Sequence, residues 1–248
     1  MIDITFDFTT DSPRYWDGFW DRNDGLGCGG CDPDSKSPAL NLYHSILWSK
    51  QLPNGEYLNL KREKSPYHFS WNSFYFSSDS IIVGLRYQKY KHIIEQVKER
   101  VGDYKTYYED LIRKSYTIGG MIIFPIHPNS INQRKGCNPY ISDRWDLTME
   151  CIRRFYLGED SPLYKVLLSD KDFFDLFVDF KGYVDFFLLQ DCVSSDYSKV
   201  DIWCGDTTFK KSGLPETVDD YFTFIDKEFK FLEKRNQRIK EYCIEHNL

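Results

Sequence analysis

The sequence predicts an α+β fold in which a small, mainly antiparallel sheet packs against a helical C-terminal half. Three observations support this prediction. Short runs of β-favouring residues separated by turn residues fill positions 57–83. The compact apolar run GGMIIFP, at 119–125, supplies one more strand of the same sheet. Beyond that run, apolar residues recur mostly at helical spacing as far as position 244.

Each element of the N-terminal part has a local signature. Residues 2–8 alternate apolar and polar, which is typical of a half-buried strand. The Gly-rich and Asp-rich stretch at 9–37 predicts a long irregular loop. Ser37 then caps a helix that begins at Pro38 and ends before QLPNG. The runs EYLNLKR, PYHFSW, FYFSS and SIIVGL predict an antiparallel meander, and two helices, near 90–97 and 104–112, precede the last strand.

The C-terminal part is predicted to be a succession of helices at about 141–156, 163–168, 173–189 and 217–244. We expect the third helix to break at Gly182. The last helix has apolar residues on one side and charged residues on the other, so it should pack against the body as an amphipathic cover. The segment VDIWCGD indicates one additional edge strand.

A chain of 248 residues is long enough to bury a full core. We expect a single domain over 1–248, with a sheet-rich part at about 1–125 and a helical part at about 126–248. The 38 acidic and 32 basic residues leave a net charge of -6. This balance provides no global positive field, so we expect no bulk nucleic-acid binding.

The sequence offers no signal for a membrane or for secretion. No stretch approaches the roughly 20 apolar residues that span a bilayer. The first residues, MIDITFDFTTD, lack the basic and then apolar pattern of a signal peptide. We therefore expect a cytoplasmic protein with no membrane partner.

The seven cysteines are most simply reduced thiols, since their number is odd and no secretion signal is present. Only Cys28 and Cys31, in CGGC, are close in sequence. They would supply two ligands of a zinc site, but a structural site needs four and no second pair exists. We therefore expect no metal site, and the sequence indicates no particular cofactor.

Several segments distributed over most of the chain form one pattern, which includes the motifs LWSKQLPNG, TIGGMIIFP, DRWDLTMECIRRFY and DFKGYVDFFLLQD. The pattern resembles an uncharacterised bacterial family catalogued only as a domain of unknown function. The resemblance implies one domain, and it brings no activity, substrate or catalytic residue. The family pattern resembles IN, two variable residues, then RG. Here the chain reads INQRKG, so any role of that arginine falls to Arg134 or Lys135.

The apolar run FFDLFVDFKGYVDFFLLQD carries Asp179, Lys181 and Asp185. Ionised groups in such a run need partners, because an unpaired buried charge is very costly. Asp185 lies between Val184 and Phe186, so we expect it to be buried and either paired with an arginine or shifted in pKa. A structural ion pair is the more frequent outcome, and a catalytic carboxylate is the alternative.

The helix expected near 141–156 carries a polar face that includes Glu150 and an arginine-rich end. In one interpretation Glu150 pairs with Arg153 or Arg154 on a solvated stripe. In the other, guanidinium groups form a fork for a phosphate or carboxylate, which their geometry suits. The residues available for that fork are Arg134, Lys135, Arg144, Arg153 and Arg154.

Other polar residues have weaker claims. His44, Lys50 and the SSDS stretch at 77–80 would bind a polar ligand or only cap turns. His68 and His127 are lone histidines, which are more often structural than catalytic. No GxSxG, GxxxxGK or HExxH occurs, which removes the simplest hydrolase, nucleotidase and zinc-protease interpretations. TIGG precedes a strand, so its glycines indicate a tight turn or close packing.

Two function hypotheses follow. In the first, an enzyme or sensor binds or acts on a small phosphorylated or nucleotide-like ligand, with Glu150 or Asp185 as the catalytic or orienting carboxylate. The ligand would be bound by Arg134, Arg144, Arg153, Arg154, His44 and Lys50. In the second, the chain is a protein-interaction module in a bacterial stress or phage-response system, with Trp16 and Trp20 as its contact surface. Arginines around one cavity would favour the first hypothesis, and jointly exposed tryptophans the second.

Overall fold

The structure is a computed structural model that describes residues 2–17, 19–20, 32–63, 69–81 and 90–248. The Cys28 and Cys31 pair, His68 and most of the predicted strand SIIVGL lie outside the described residues. The strands are β1 (Lys61–Arg62), β2 (Phe69–Trp71), β3 (Phe74–Ser80) and β4 (Met121–Pro125). The helices are α1 (Pro33–Lys36), α2 (Pro38–Trp48), α3 (Ile94–Val101), α4 (Tyr104–Ser115), α5 (Ile131–Arg134), α6 (Trp145–Tyr156), α7 (Tyr164–Ser169), α8 (Lys171–Asp175), α9 (Phe180–Phe186) and α10 (Val218–His246).

The four strands form one antiparallel sheet in the order β1-β2-β3-β4. The longest ladder joins β3 to β4, from the pair Phe76 and Pro125 to the pair Ser80 and Met121. Every residue of β4 is buried, as expected for a short apolar run. The predicted meander and the predicted place of GGMIIFP in the same sheet are confirmed.

Helices of the C-terminal half cover the sheet through aromatic side chains. The ring of Phe76 in β3 lies 5.9 Å from that of Phe173 in α8. The ring of Phe124 in β4 lies 6.3 Å from that of Trp145 in α6. Such tilted ring pairs contribute beyond their buried area. The predicted α+β class, with a helical C-terminal half packed on the sheet, is confirmed.

The strand predicted at residues 2–8 is wrong. Asp3 and Asp7 accept hydrogen bonds from the backbone N–H groups of Thr5 and Thr9, each at 2.9 Å. These local turns compete with a sheet ladder for the same backbone groups. Ile2 and Phe8 are nevertheless buried, so the apolar alternation marked the core but not the backbone conformation.

The predicted helix break at Gly182 is also wrong. The chain breaks earlier, at Val178, whose φ is 70°, and Asp179 caps α9 by accepting from the N–H of Gly182 at 2.7 Å. Gly182 lies inside α9, where a Cβ atom would meet the carbonyl oxygen of Phe177 at 2.1 Å. The glycine therefore permits close packing. The weak edge strand predicted at 200–206 is absent from the described chain, where Val193 and Val200 form only an isolated bridge.

Helix α10 covers the body, as its amphipathic pattern predicts, and it begins with a capping box between Thr217 and Asp220. The described helices include none that is long and apolar enough to cross a membrane.

Two buried polar residues of α10 form hydrogen bonds to the turn before β4. Arg235 donates to the carbonyl oxygens of Gly119 at 2.7 Å, Met121 at 2.9 Å and Phe187 at 3.0 Å. Asn236 accepts from the N–H of Gly119 at 2.7 Å. A Cβ atom at Gly119 would lie 2.7 Å from the Asn236 side chain, so the TIGG glycines do serve close packing.

Glu228 of α10 is 1% exposed, and its Oε2 has no hydrogen-bond partner among the described residues. Burial, and secondarily the charge of Asp146, holds the pKa of Glu228 well above its usual value, so the native carboxyl holds its proton to higher pH than a free glutamate does. The unfolded chain releases that proton at lower pH, so the native state loses stability as pH rises above about 4.3.

We therefore expect Glu228→Gln to stabilise the protein, and by more at pH 8 than at pH 5. The gain should grow by up to about 1.4 kcal/mol per pH unit within the interval between the two pKa values. Urea denaturation of both proteins at the two pH values measures this. An equal difference at pH 5 and pH 8 would show that the native carboxyl is already ionised.

Candidate functional site

One buried and four half-buried charged side chains from four parts of the chain meet beside the sheet. We call this set the carboxylate cluster. It consists of Asp32 and Asp34 at the start of α1, Asp79 in β3, Lys135 in the 3₁₀ turn after α5, and Asp143 in the loop before α6.

Lys135 is the cation of the carboxylate cluster, and its side chain is 4% exposed. Its ammonium forms an ion pair with Asp143 and lies 3.3 Å from Asp79 Oδ2. Burial lowers the pKa of Lys135, but the two carboxylates outweigh this and hold the pKa above its usual value. Gly136 leaves room for the pair, since a Cβ atom there would lie 3.1 Å from Asp143 Oδ2.

Two carboxyl groups of the cluster have raised pKa values. Burial, followed by the charges of Asp32 and Asp79, holds the pKa of Asp34 well above its usual value. Burial raises the pKa of Asp79 to about 6, against the opposing effect of Lys135. Asp34 therefore binds a proton more readily than an ordinary aspartate, and its neighbour Asp79 does so to a lesser degree.

A directed chain of hydrogen bonds ends on Asp34. The Trp48 indole N–H donates to His44 Nδ1 at 2.9 Å, His44 Nε2 lies 3.0 Å from Ser78 Oγ, and Ser78 Oγ lies 3.4 Å from Asp34 Oδ1. An indole only donates, so His44 Nδ1 accepts and Nε2 carries the proton. Ser78 then accepts from His44 and donates its own proton to Asp34 Oδ1. The acidic proton of Asp34 is therefore left to Oδ2.

This arrangement limits what His44 and Ser78 do. His44 is fully buried, and burial lowers its pKa to about 3, so the imidazole stays neutral. Its only lone pair, on Nδ1, is occupied by Trp48. His44 therefore has no basic nitrogen to activate Ser78 as a nucleophile, and both side chains position Asp34. His44, a predicted ligand-binding residue, lies behind the cluster in the core.

Further polar contacts surround the cluster. The Tyr116 hydroxyl donates to Asp32 Oδ1 at 3.1 Å. From α5, Asn132 donates to Ser77 Oγ at 2.8 Å and so ties this short helix to β3. The next two residues diverge, because Lys135 enters the cluster while the exposed Arg134 donates to Asn129 Oδ1 at 2.9 Å.

Arg144 is buried, and all five of its N–H donors are used within the protein. Two of them bind the fully buried Asp146, and the others reach the carbonyl oxygens of Cys204 and Gly213, both at 2.8 Å, and Cys204 Sγ at 3.1 Å. Arg144 also lines a cavity of about 220 Å³ beside the 204–216 loop. No donor of Arg144 remains for a ligand in that cavity.

Arg153 and Arg154 both bind Glu150, the pairing that one interpretation predicted, but Glu150 is only 5% exposed, so these residues do not form a solvated stripe. Arg153 forms two hydrogen bonds to Glu150, at 2.8 and 2.9 Å, and Arg154 forms one at 2.8 Å. Burial raises the pKa of Glu150, but these hydrogen bonds outweigh it and hold the pKa below its usual value. Arg154 also reaches the carbonyl oxygen of Thr207 at 2.9 Å. Arg144 and Arg154 thus hold the same loop, and Arg134 lies apart on α5.

Asp185 is not buried as expected, since its side chain is 33% exposed. It pairs with Lys181, not with an arginine, and accepts from Tyr197 at 2.7 Å and Gln190 at 2.9 Å. Burial raises its pKa, but these hydrogen bonds outweigh it and lower the pKa overall. Asp185 therefore has the surroundings of a structural ion pair.

Lys50 lies apart from the carboxylate cluster, among aromatic rings. Its ammonium donates to the carbonyl oxygen of Phe186 at 2.7 Å and lies 4.4 Å from the centre of the Tyr242 ring. Burial, with the charge of Arg235, lowers the pKa of Lys50 to about 7. The structure therefore separates Lys50 from the other predicted ligand-binding residues.

Trp16 and Trp20 are half-buried. Trp16 donates to Thr9 Oγ1 at 3.0 Å, and Trp20 donates to Glu109 of α4 at 2.7 Å. Both tryptophans thus pack on the body through ordinary intramolecular contacts, rather than standing together on an exposed loop.

Asp32, Asp34 and Asp79 were not among the predicted site residues. Asp79 was noted only within SSDS, and the other two belong to the DPD sequence at the end of the predicted irregular loop. The available signal was that Asp followed by Pro is typical of a helix N-cap and first turn, which places the carboxylates of DPD on ordered backbone. The described residues contain no group of His, Cys, Asp and Glu that would hold a metal ion.

The comparisons with known proteins give one match. A family model described as a family of unknown function, DUF6994, matches residues 2–239. No curated protein and no solved structure is significantly similar to the chain.

Proposed function

The chain belongs to this family of unknown function, so no activity carries over to it, and from its side chains we propose an enzyme that performs acid–base chemistry on a small polar molecule. The observation that supports the proposal is that Asp34, held by Ser78, and Asp79, held by Lys135, lie in one cluster, where the pKa of Asp34 is held well above its usual value and that of Asp79 is about 6. Pairs of titratable groups whose surroundings push their pKa values apart are typical of acid–base sites.

The proposed roles follow from the hydrogen bonds. Asp34 is the acid, because its pKa is held well above the usual value, and Ser78 Oγ lies 3.4 Å from its Oδ1, a long contact that favours Oδ2 as the site of the proton. Asp79 is the base, and its Oδ2 has no hydrogen-bond partner of good geometry among the described residues. Lys135 neutralises part of the negative charge and fixes Asp79 and Asp143. His44 and Ser78 orient the acid.

The charge of the cluster restricts its ligand. Four carboxyl groups surround one ammonium, so the site is negative even when Asp34 is protonated. Carboxylates accept hydrogen bonds from hydroxyl and amino groups and repel phosphate. A nucleotide-like ligand would therefore place its sugar hydroxyls in the cluster and keep its phosphates outside.

Binding and turnover test the proposal. A thermal-shift screen of nucleosides, nucleotides, sugars and sugar phosphates should find a ligand that stabilises the native protein. Asp79→Asn should abolish that shift. Asp34→Asn should retain binding but lose product formation, which NMR of the ligand measures. Asp185→Asn makes the same change in a carboxylate outside the cluster and should behave as the native protein. Unchanged binding by Asp79→Asn would place the ligand elsewhere.

The protonation states are testable without a ligand. In protein labelled with ¹³C at aspartate carboxyls, Asp34→Asn should remove a signal that stays protonated through pH 7. Asp79→Asn should lower the pKa of Asp34, because the charge of Asp79 is one cause of its elevation. If the Asp34 carboxyl is already ionised at pH 5, it is not the acid.

A further inference from the structure

A second polar arrangement, outside the carboxylate cluster, joins His127 in the loop between β4 and α5 to Asp170 between α7 and α8. His127 Nε2 is 2.6 Å from Asp170 Oδ1, and the Asp170 side chain is 1% exposed. The other oxygen, Asp170 Oδ2, accepts from the backbone N–H of Ile131 at 2.8 Å. Both carboxylate oxygens are thus held, and they fix the orientation of the imidazole.

The hydrogen bonds assign the two nitrogens of His127. The backbone N–H of Asn129 points to Nδ1 at 3.4 Å. A backbone N–H only donates, so Nδ1 carries the lone pair and Nε2–H donates to Asp170. A separation of 3.4 Å is long for a hydrogen bond, so the lone pair is only weakly held. The His127 side chain is 38% exposed, which gives Nδ1 a route to solvent.

Arg134 is linked to the loop of His127 through Asn129, whose backbone N–H points to the histidine. Its Nη2 donates to Asn129 Oδ1 at 2.9 Å, and its remaining N–H donors have no acceptor among the described residues. Arg134 is exposed, in contrast to Arg144, whose donors are all used. A guanidinium with free donors suits the oxygens of a phosphoryl group.

We propose that His127 is a phosphoryl-acceptor residue, with Asp170 orienting its imidazole and Arg134 binding the oxygens of an acyl phosphate donor. In the transfer, the Nδ1 lone pair forms the N–P bond while the P–O bond to the acyl group breaks. The carboxylate leaves with the electron pair, and no further reactant is needed. The ring becomes positively charged because Nε2 keeps its proton, which it donates to Asp170, and the Asp170 carboxylate balances that charge. This inference does not depend on the proposed function of the carboxylate cluster.

Two other histidines of the chain are internal controls. His92 Nε2 lies 2.9 Å from the carbonyl oxygen of Pro215, and His246 Nδ1 lies 2.9 Å from that of Tyr242. Neither forms an ion pair with a carboxylate among the described residues, where His127 is the one histidine that does. They report the reactivity of ordinary imidazoles on the same protein.

The experiment incubates the whole protein with acetyl phosphate and maps the modified histidines by mass spectrometry under alkaline conditions, with ³¹P NMR as a second readout. We expect phosphorylation of His127 to be about tenfold faster than that of His92 or His246. Arg134→Gln, an exposed substitution that preserves the fold, should slow His127 and leave the two controls unchanged. Asp170→Asn should slow it as well.

Equal rates at the three histidines, or labelling of His127 that Arg134→Gln leaves unchanged, would overturn the proposal. No labelling of His127 in protein that remains folded by circular dichroism would also overturn it. Because the readout is the modified residue, the result is separate from ligand turnover at the carboxylate cluster.

Discussion

Lys135→Met is expected to lower the free energy of unfolding by about 3–5 kcal/mol at neutral pH, the cost of removing one partner from a buried ion pair. The substitution leaves Asp79 and Asp143 without the ammonium between them. Both carboxyl groups then bind protons more readily, so the native state recovers part of its stability as pH falls. Urea denaturation at pH 7.5 and pH 5 measures the effect and its pH dependence.

Two variants sharpen this comparison. Lys135→Arg keeps the charge and should lose much less stability than Lys135→Met. Lys181→Met removes a lysine that pairs with Asp185 at the surface, where its side chain is 59% exposed, and should cost below about 1 kcal/mol. If Lys135→Met costs no more than Lys181→Met, the cluster is not a desolvated ion pair.

Arg144→Met is the second substitution with a large expected effect, again about 3–5 kcal/mol. It leaves the carboxylate of the fully buried Asp146 with the N–H of Trp203 at 2.8 Å but without a cation. The carbonyl oxygens of Cys204 and Gly213 also lose their donor. Chemical denaturation gives the loss, and hydrogen exchange should rise across residues 203–213.

A double substitution tests the cause. Asp146→Asn removes the orphaned charge, so adding it to Arg144→Met should restore part of the lost stability. Arg154→Met is the matched control, because Glu150 keeps two hydrogen bonds from Arg153. Strict additivity of Arg144→Met and Asp146→Asn would contradict the proposed charge coupling.

Local signals predicted most of the fold. Ser37 and Pro38 marked the start of α2, and Ser37 Oγ does accept from the N–H of Leu40 at 3.0 Å. The predictions were wrong where one sequence pattern is compatible with two backbone conformations. Alternation at residues 2–8 gave the buried side chains, but a strand also needs a neighbouring strand, and local turns at Asp3 and Asp7 satisfy the backbone instead.

The candidate site was less predictable, because its contacts are not local. The pairs between Glu150 and its two arginines follow helical spacing and were anticipated. His44 and Ser78 are 34 positions apart, and Asp34 and Ser78 are 44 apart, so only the fold brings them together. Asp185 was expected inside because of its apolar neighbours, yet helical spacing places it with Lys181 on the outer face of α9.

The hydrogen bonds from Arg235 to the turn before β4 can form only late in protein synthesis. Arg235 and Gly119 are 116 positions apart, and a ribosome adding 5–20 residues per second would need on the order of ten seconds to cover that distance. Throughout this interval the carbonyl groups of Gly119 and Met121 lack the donor that they have in the native state, because Arg235 has not yet been synthesised. The sheet therefore acquires its final interior only after Arg235 has been translated, and until then these carbonyl groups are left to hydrogen-bond with water.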